Sequence, residues 1–264
     1  MTKFETSIFT RTGALITALL LLFLILPIVL MMVQTSPSLL GQTVHDGETL
    51  PVIGRSILAA VLAVGILSIP TLPAAWFLAR RDFWGKRIVL ALIDLPIVVP
   101  HTAAGIALLC VLNRKAPIGK VLGGLGIECV GNFTAIVIAM AYVSLPFLIN
   151  AARQGFAAIP VEYEQMALTL GSSPLRVFFT ISLPLAARSI IHGMIMMFAR
   201  GVSEFGAVMI LAYYPRTAPV LIYERFTQYG LENARALTVI FLLLVFAIFI
   251  LLQWISGKND HAVH

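Results

Sequence analysis

Six long apolar stretches separated by shorter polar ones set the pattern of this chain, at about 14–33, 54–79, 88–112, 133–150, 189–212 and 235–255. Each is close to or above the roughly 20 residues that an α-helix needs to cross about 30 Å of hydrocarbon. Backbone in lipid must satisfy its own hydrogen bonds, so the predicted element is a helix in all six. The first stretch exceeds the roughly 7–15 apolar residues of a secretory signal and no A-x-A site follows it, so it is read as a retained span.

The interval 151–188 breaks the pattern, carrying Arg153, Gln154, Glu162, Glu164, Gln165, Arg176 and Arg188. Ile159-Pro160 opens a helix with proline in its first turn, where a missing N–H costs nothing. Tyr163, Met166, Ala167 and Leu170 then fall at helical spacing as one apolar stripe. Gly171 closes that helix with a residue able to take positive φ, and Ser173-Pro174 opens the next with a capping hydroxyl and proline at the first helical position. Leu175, Phe178 and Phe179 share a face of this second helix. It is expected to stop before Leu183-Pro184, because proline disfavours helix in the residue before it. A surface hairpin that merely joins two spans would look the same.

Composition turns the apolar pattern into a statement about solvent. Mean hydropathy is +0.97, and charged residues make up 11% of the chain, against about 25% in ordinary soluble domains. The chain is therefore read as a single multi-pass membrane domain over 1–264. The net charge of +6 does not point to nucleic acid, since Lys and Arg sit mainly at the ends of apolar runs, where they set topology. The loop Arg80–Arg87, RRDFWGKR, holds four basic residues and is placed in the cytoplasm. Ten basic residues, with Lys3, Arg11, Arg153, Arg176, Arg188 and Lys258 among them, then lie inside against seven outside, and both termini are cytoplasmic. Arg114, Lys115 and Lys120, external in this arrangement, run against the rule. Cys110 and Cys129 have neither metal-ligand nor disulfide spacing.

Ionisable groups inside spans cost about 2.5–3.5 kcal/mol and are functional candidates. Arg200 and Glu204, four apart, can pair on one helix face; with Ser203, Arg200 could instead line a pathway and offer positive potential to an anion. His101 and its neighbour Thr102 are further pathway candidates beside Pro100. No H-E-x-x-H or G-x-S-x-G is present, which argues against an enzyme, and the Gly-Lys pairs at 85–86, 119–120 and 257–258 lack the phosphate-binding loop pattern. Unequal spans without an internal repeat argue against a self-contained ion-coupled transporter.

The residues Glu164, Ala167, Gly171, Ile181, Leu183 and Pro184 resemble the EAA signature of ABC importer permeases, E-x-x-A-x-x-x-G followed by I-x-L-P. Met166 stands where many members have a second alanine. Beyond the signature, DLPIVVPHTAAGIALL (Asp94–Leu109) resembles the third-span segment of molybdate and sulfate permeases, with His101 where a second proline is common. ARGVSEFGAVMILAYYP (Ala199–Pro215) and APVLIYERF (Ala218–Phe226) are similar to molybdate/tungstate permeases of archaeal type. The resemblance implies an all-α integral membrane fold, that of a six-span type I (MetI-like) permease. It implies a homodimer, two cytoplasmic ATPase subunits that hold ATP and Mg, and an external oxyanion-binding protein, with no cofactor in this chain itself. The segment around Glu164, Ala167, Leu170, Gly171, Ser173, Pro174, Ile181, Leu183 and Pro184 would be the helix that couples to the ATPase. Sulfate, a tetrahedral dianion of similar size, is the alternative cargo.

Overall fold

The structure, a computed structural model, describes residues 8–258, so Lys3 of the charge count lies outside the described residues. Among these there are helices and no strand. In chain order they are α1 Ile8–Val33, α2 Pro37–His45, α3 Thr49–Arg80, α4 Lys86–Val98, α5 His101–Leu112, α6 Pro117–Gly124, α7 Phe133–Ala157, α8 Val161–Thr169, α9 Pro174–Val177, a π-helical turn Phe178–Ser182, α10 Leu183–Val202, α11 Gly206–Leu211, α12 Ala218–Tyr229 and α13 Leu231–Lys258. Five helical stretches are long and apolar enough to cross a membrane, and the pair α4–α5 makes a sixth if taken as one broken span.

Two compact units can be distinguished. Met1–Thr49 with Ile222–Leu243 form one, and Leu50–Leu221 with Leu244–His264 form the other. Within the first, Arg225 pairs with Asp46, and Asp46 also accepts from the Thr49 N–H at 2.8 Å. Burial raises the Asp46 carboxyl, and these hydrogen bonds together with that from Glu48 N–H more than reverse the effect, leaving it below its ordinary value.

The second unit holds both candidate sites. Its centre is the pairing of α7 with α10, made close by glycine. A β-carbon on Gly155 would stand 2.5 Å from Ser189 Cβ, and one on Gly193 would stand 2.8 Å from Ala151 Cβ. Small residues let helix backbones approach in lipid, where no hydrophobic force draws helices together. At one end of this pair Ala75, Ala152, Phe156, Ile159, Ala186 and Ile190 form a buried cluster, with Trp76 and Phe178 packed on it.

Three departures from the predicted elements matter for function. The run 88–112 is two helices meeting at 111°. Pro100 drives Val99 to extended backbone, φ −71° and ψ 132°, as the residue before proline is driven out of helical geometry. The run 189–212 is likewise broken, after Val202, and resumes at Gly206. Conversely, the helix expected to stop before Pro184 continues. The π-turn hands the Leu183 N–H to Phe178 O, five residues back, and this wider turn accommodates the proline that an unbroken α-helical ladder would reject.

Candidate functional site

The first site is built around Glu164, the one acid of the helical hairpin that is buried. Trp76 and Arg80, one turn apart on the last part of α3, both reach it. Arg80 donates from Nε to both carboxylate oxygens, at 3.1 and 3.0 Å, and from Nη2 to Oε1 at 2.9 Å. Trp76 Nε1–H donates to Oε1 at 3.2 Å, and Ser182 Oγ–H donates to the same oxygen at 2.6 Å. Arg80 Nη1 also donates to the Ile159 carbonyl at 3.1 Å. Both charged side chains are only 8% exposed. One carboxylate thus ties α3, the start of α8 and the π-turn into a single knot.

Burial by itself raises the Glu164 carboxyl. The hydrogen bonds from Arg80, Ser182 and Trp76, and the charge of Arg80, outweigh it and hold the group below its ordinary value of 4.5. Because the folded value is depressed, the stabilisation is fully present above pH 4.5 and is lost as pH falls through the lower folded value. The melting temperature of the detergent-solubilised protein is expected to decline below about pH 4.5, and to decline less steeply in Glu164→Gln.

Beyond Glu164 the chain turns sharply. Gly171 takes φ +86°, its N–H donates to Leu168 O at 3.0 Å, and the Ser172 N–H donates to Ala167 O at 3.1 Å. These two bonds are the αL closure that satisfies the last carbonyls of a helix. Ser173 Oγ accepts from the Arg176 N–H at 3.4 Å, with Pro174 at the first helical position of α9. Pro160 lies one residue outside α8, as its N-cap.

The apolar stripe of α8 is turned mostly outward. Tyr163, Met166 and Leu170 are exposed, Leu170 at 86%, as are Leu175 and Phe179. Ala167, Ile181 and Leu183 are half-buried and Pro184 is exposed. Periodicity identified a face but not its partner, because the position that this unit buries is the acid.

The second site lies where the two broken runs meet. A β-carbon on Gly206 would stand 2.9 Å from His101 Cβ, so the starts of α5 and α11 touch backbone to side chain. Arg200 Nη2 donates to Glu204 Oε2 at 2.9 Å and lies 2.7 Å from His101 Nε2. Glu204 Oε1 accepts from the Ala207 N–H at 2.9 Å, which starts α11. Ser203 Oγ–H is directed at the carbonyls of Ala199 and Arg200, at 3.2 and 3.1 Å, and Thr102 is exposed. The sequence placed Arg200 and Glu204 together; the addition of His101, 99 residues away, needed the fold. Asp94 accepts from Asn150 Nδ2 at 2.6 Å, tying α4 to α7 apart from this cluster. No group of three metal-ligating side chains is found among the described residues.

With this geometry in view, residues 71–262 match the family described as "Binding-protein-dependent transport system inner membrane component". The chain is 40% identical over 241 residues to "Molybdate/tungstate transport system permease protein WtpB" of Pyrococcus abyssi, covering 90% of this chain and 92% of that protein. It is 42% identical over 222 residues to the protein of the same description from Thermococcus kodakarensis, covering 84% and 85%. Its fold is similar to a chain in the crystal structure of a bacterial ABC transporter involved in the import of the acidic polysaccharide alginate. There the TM-score is 0.64 at 18% identity, over 96% of this chain and 98% of that one.

Proposed function

The chain belongs to the family of inner membrane components of binding-protein-dependent transport systems, and from that premise we propose that it is the permease subunit of an ATP-driven importer of molybdate and tungstate. In this reading two copies form the pathway, a separate ATPase supplies the energy with ATP and Mg, and an external binding protein delivers the oxyanion. The α8–α9 elbow faces the cytoplasm, as do both termini.

The observation that carries the proposal is the pairing of a rigid elbow with an unsatisfied apolar face. Glu164 locks the elbow to α3 and to the π-turn that leads into α10, so a push on the elbow is delivered to two spans. Tyr163, Met166 and Leu170 stand outward, outside the stretches long and apolar enough to cross a membrane, and Leu175 and Phe179 continue the exposed face at the start of the next one. A cluster of large exposed apolar side chains in water marks a protein contact, and the contact this elbow suits is the ATPase.

The test is uptake into vesicles that contain this protein and are supplied with the loaded binding protein. Tungstate is expected to accumulate only when both the ATPase and ATP are present. Accumulation that persists after the ATPase is withheld would overturn the proposal.

A further inference from the structure

We propose that His101 and the Arg200 guanidinium form a contact site for a tetrahedral dianion within the membrane-spanning region, a site that rests on the importer reading above. Arg200 lies 17 positions into α10 from Leu183, about 25 Å along the helix. It stands between two interruptions of helix, after Val98 and after Val202. Unwound backbone at membrane depth is tolerated only where it is buried in protein or lines a watery cavity, so this corner of the molecule is not a lipid face.

The three ionisable groups divide the work. Glu204 is 1% exposed, and both its oxygens are engaged, one starting α11 and one holding Arg200. It fixes and balances the guanidinium and touches nothing that passes. Arg200 is 23% exposed and spends only Nη2 on partners among the described residues, Glu204 and both ring nitrogens of His101, so the hydrogens of Nε and Nη1, which lie on different edges of the group, are unspent. Once His101 gives up its hold on Nη2, that nitrogen with Nε or with Nη1 forms a two-donor edge that matches two oxygens of a tetrahedral oxyanion.

His101 is 42% exposed. Arg200 has only hydrogens to give, and both ring nitrogens stand against its Nη2, Nε2 at 2.7 Å and Nδ1 at 3.2 Å, with Nδ1 also 3.8 Å from Glu204 Oε2, so the nitrogen that accepts from it presents a lone pair. An anion oxygen is a stronger acceptor than that lone pair and can take its place, releasing the imidazole to turn its N–H toward the same anion. The hydroxyl of Ser203 is already committed to backbone carbonyls, so it adds no donor.

The experiment measures tungstate uptake by the reconstituted importer, with its ATPase and loaded binding protein, in wild type, His101→Ala and His101→Lys. ATPase that copurifies with each variant reports its assembly. His101→Ala is expected to lower uptake about tenfold, the scale of one hydrogen bond to a charged group. His101→Lys is expected to keep at least about half of wild-type uptake, because a cation is what an anion meets there. A structural role would predict the reverse, since a lysine beside Arg200 repels it. Wild-type uptake in His101→Ala, or a lysine variant as impaired as the alanine one, overturns the site and leaves the importer reading standing. Absence of ATP-driven uptake in the wild type overturns both.

Discussion

Replacing Arg80 by alanine is expected to be the most damaging single change in the elbow. It strips three hydrogen bonds and the balancing charge from Glu164, whose carboxylate cannot then reach water without prising α8 from α3. Removing one partner of a buried ion pair costs about 3–5 kcal/mol, far more than the pair contributes relative to an apolar replacement. The melting temperature of the detergent-solubilised protein should therefore fall by several degrees, and ATP-driven uptake should fall with it. Removing the stranded charge as well, in Arg80→Ala with Glu164→Gln, should restore part of the loss, because residues in contact do not act additively. A double variant as unstable as the sum of the two single ones would mean that the knot around Glu164 does not hold the elbow.

The second large effect concerns Gly171. A valine there would carry a β-branched side chain at φ +86°, a conformation that costs residues with a β-carbon about 1–3 kcal/mol. Space is not the obstacle, since nothing lies within 4 Å of an added β-carbon. The elbow should open instead, changing the angle between α8 and α9 while the spans stay inserted. Gly171→Val is expected to lower uptake per ATP hydrolysed by about tenfold, as 1.4 kcal/mol of strain would. Gly171→Asn, which tolerates the left-handed region, should stay within about threefold of wild type. Equal coupling ratios in the valine variant and the wild type would remove the elbow from the path of force.

What could be read from the sequence divides by range. The apolar runs, the turn at Gly171 and the cap at Ser173-Pro174 follow from rules that act over a few residues, and those features stand where local chemistry puts them. The same rules misjudged Pro184, since the expected stop ignored that a π-turn can absorb a proline. Glu164 stood out as part of a motif, yet its partners Trp76 and Arg80 lie 88 and 84 residues away. Nothing in α3 marks those two beyond an arginine at the end of an apolar run, which topology alone explains. The break at Pro100 was within reach of the proline rule, but the length of the apolar run outweighed it. The meeting of His101 with Arg200 had no local signal at all.

The π-turn at Phe178–Ser182 has a consequence for the kind of motion that can leave the elbow. Such a turn holds one residue more than the α-helical repeat, so α9 and α10 are out of phase by about 100°, the twist of one residue. The Ser182 hydroxyl on Glu164 holds that offset in place. Rewinding the turn to a regular helix would revolve α10 about its own axis and advance it by only about 1.5 Å, the rise of one residue. Arg200, 18 positions beyond Ser182, would then swing through the same arc. The stroke that this geometry favours is a twist, and what it changes at the far end is the direction in which a guanidinium faces.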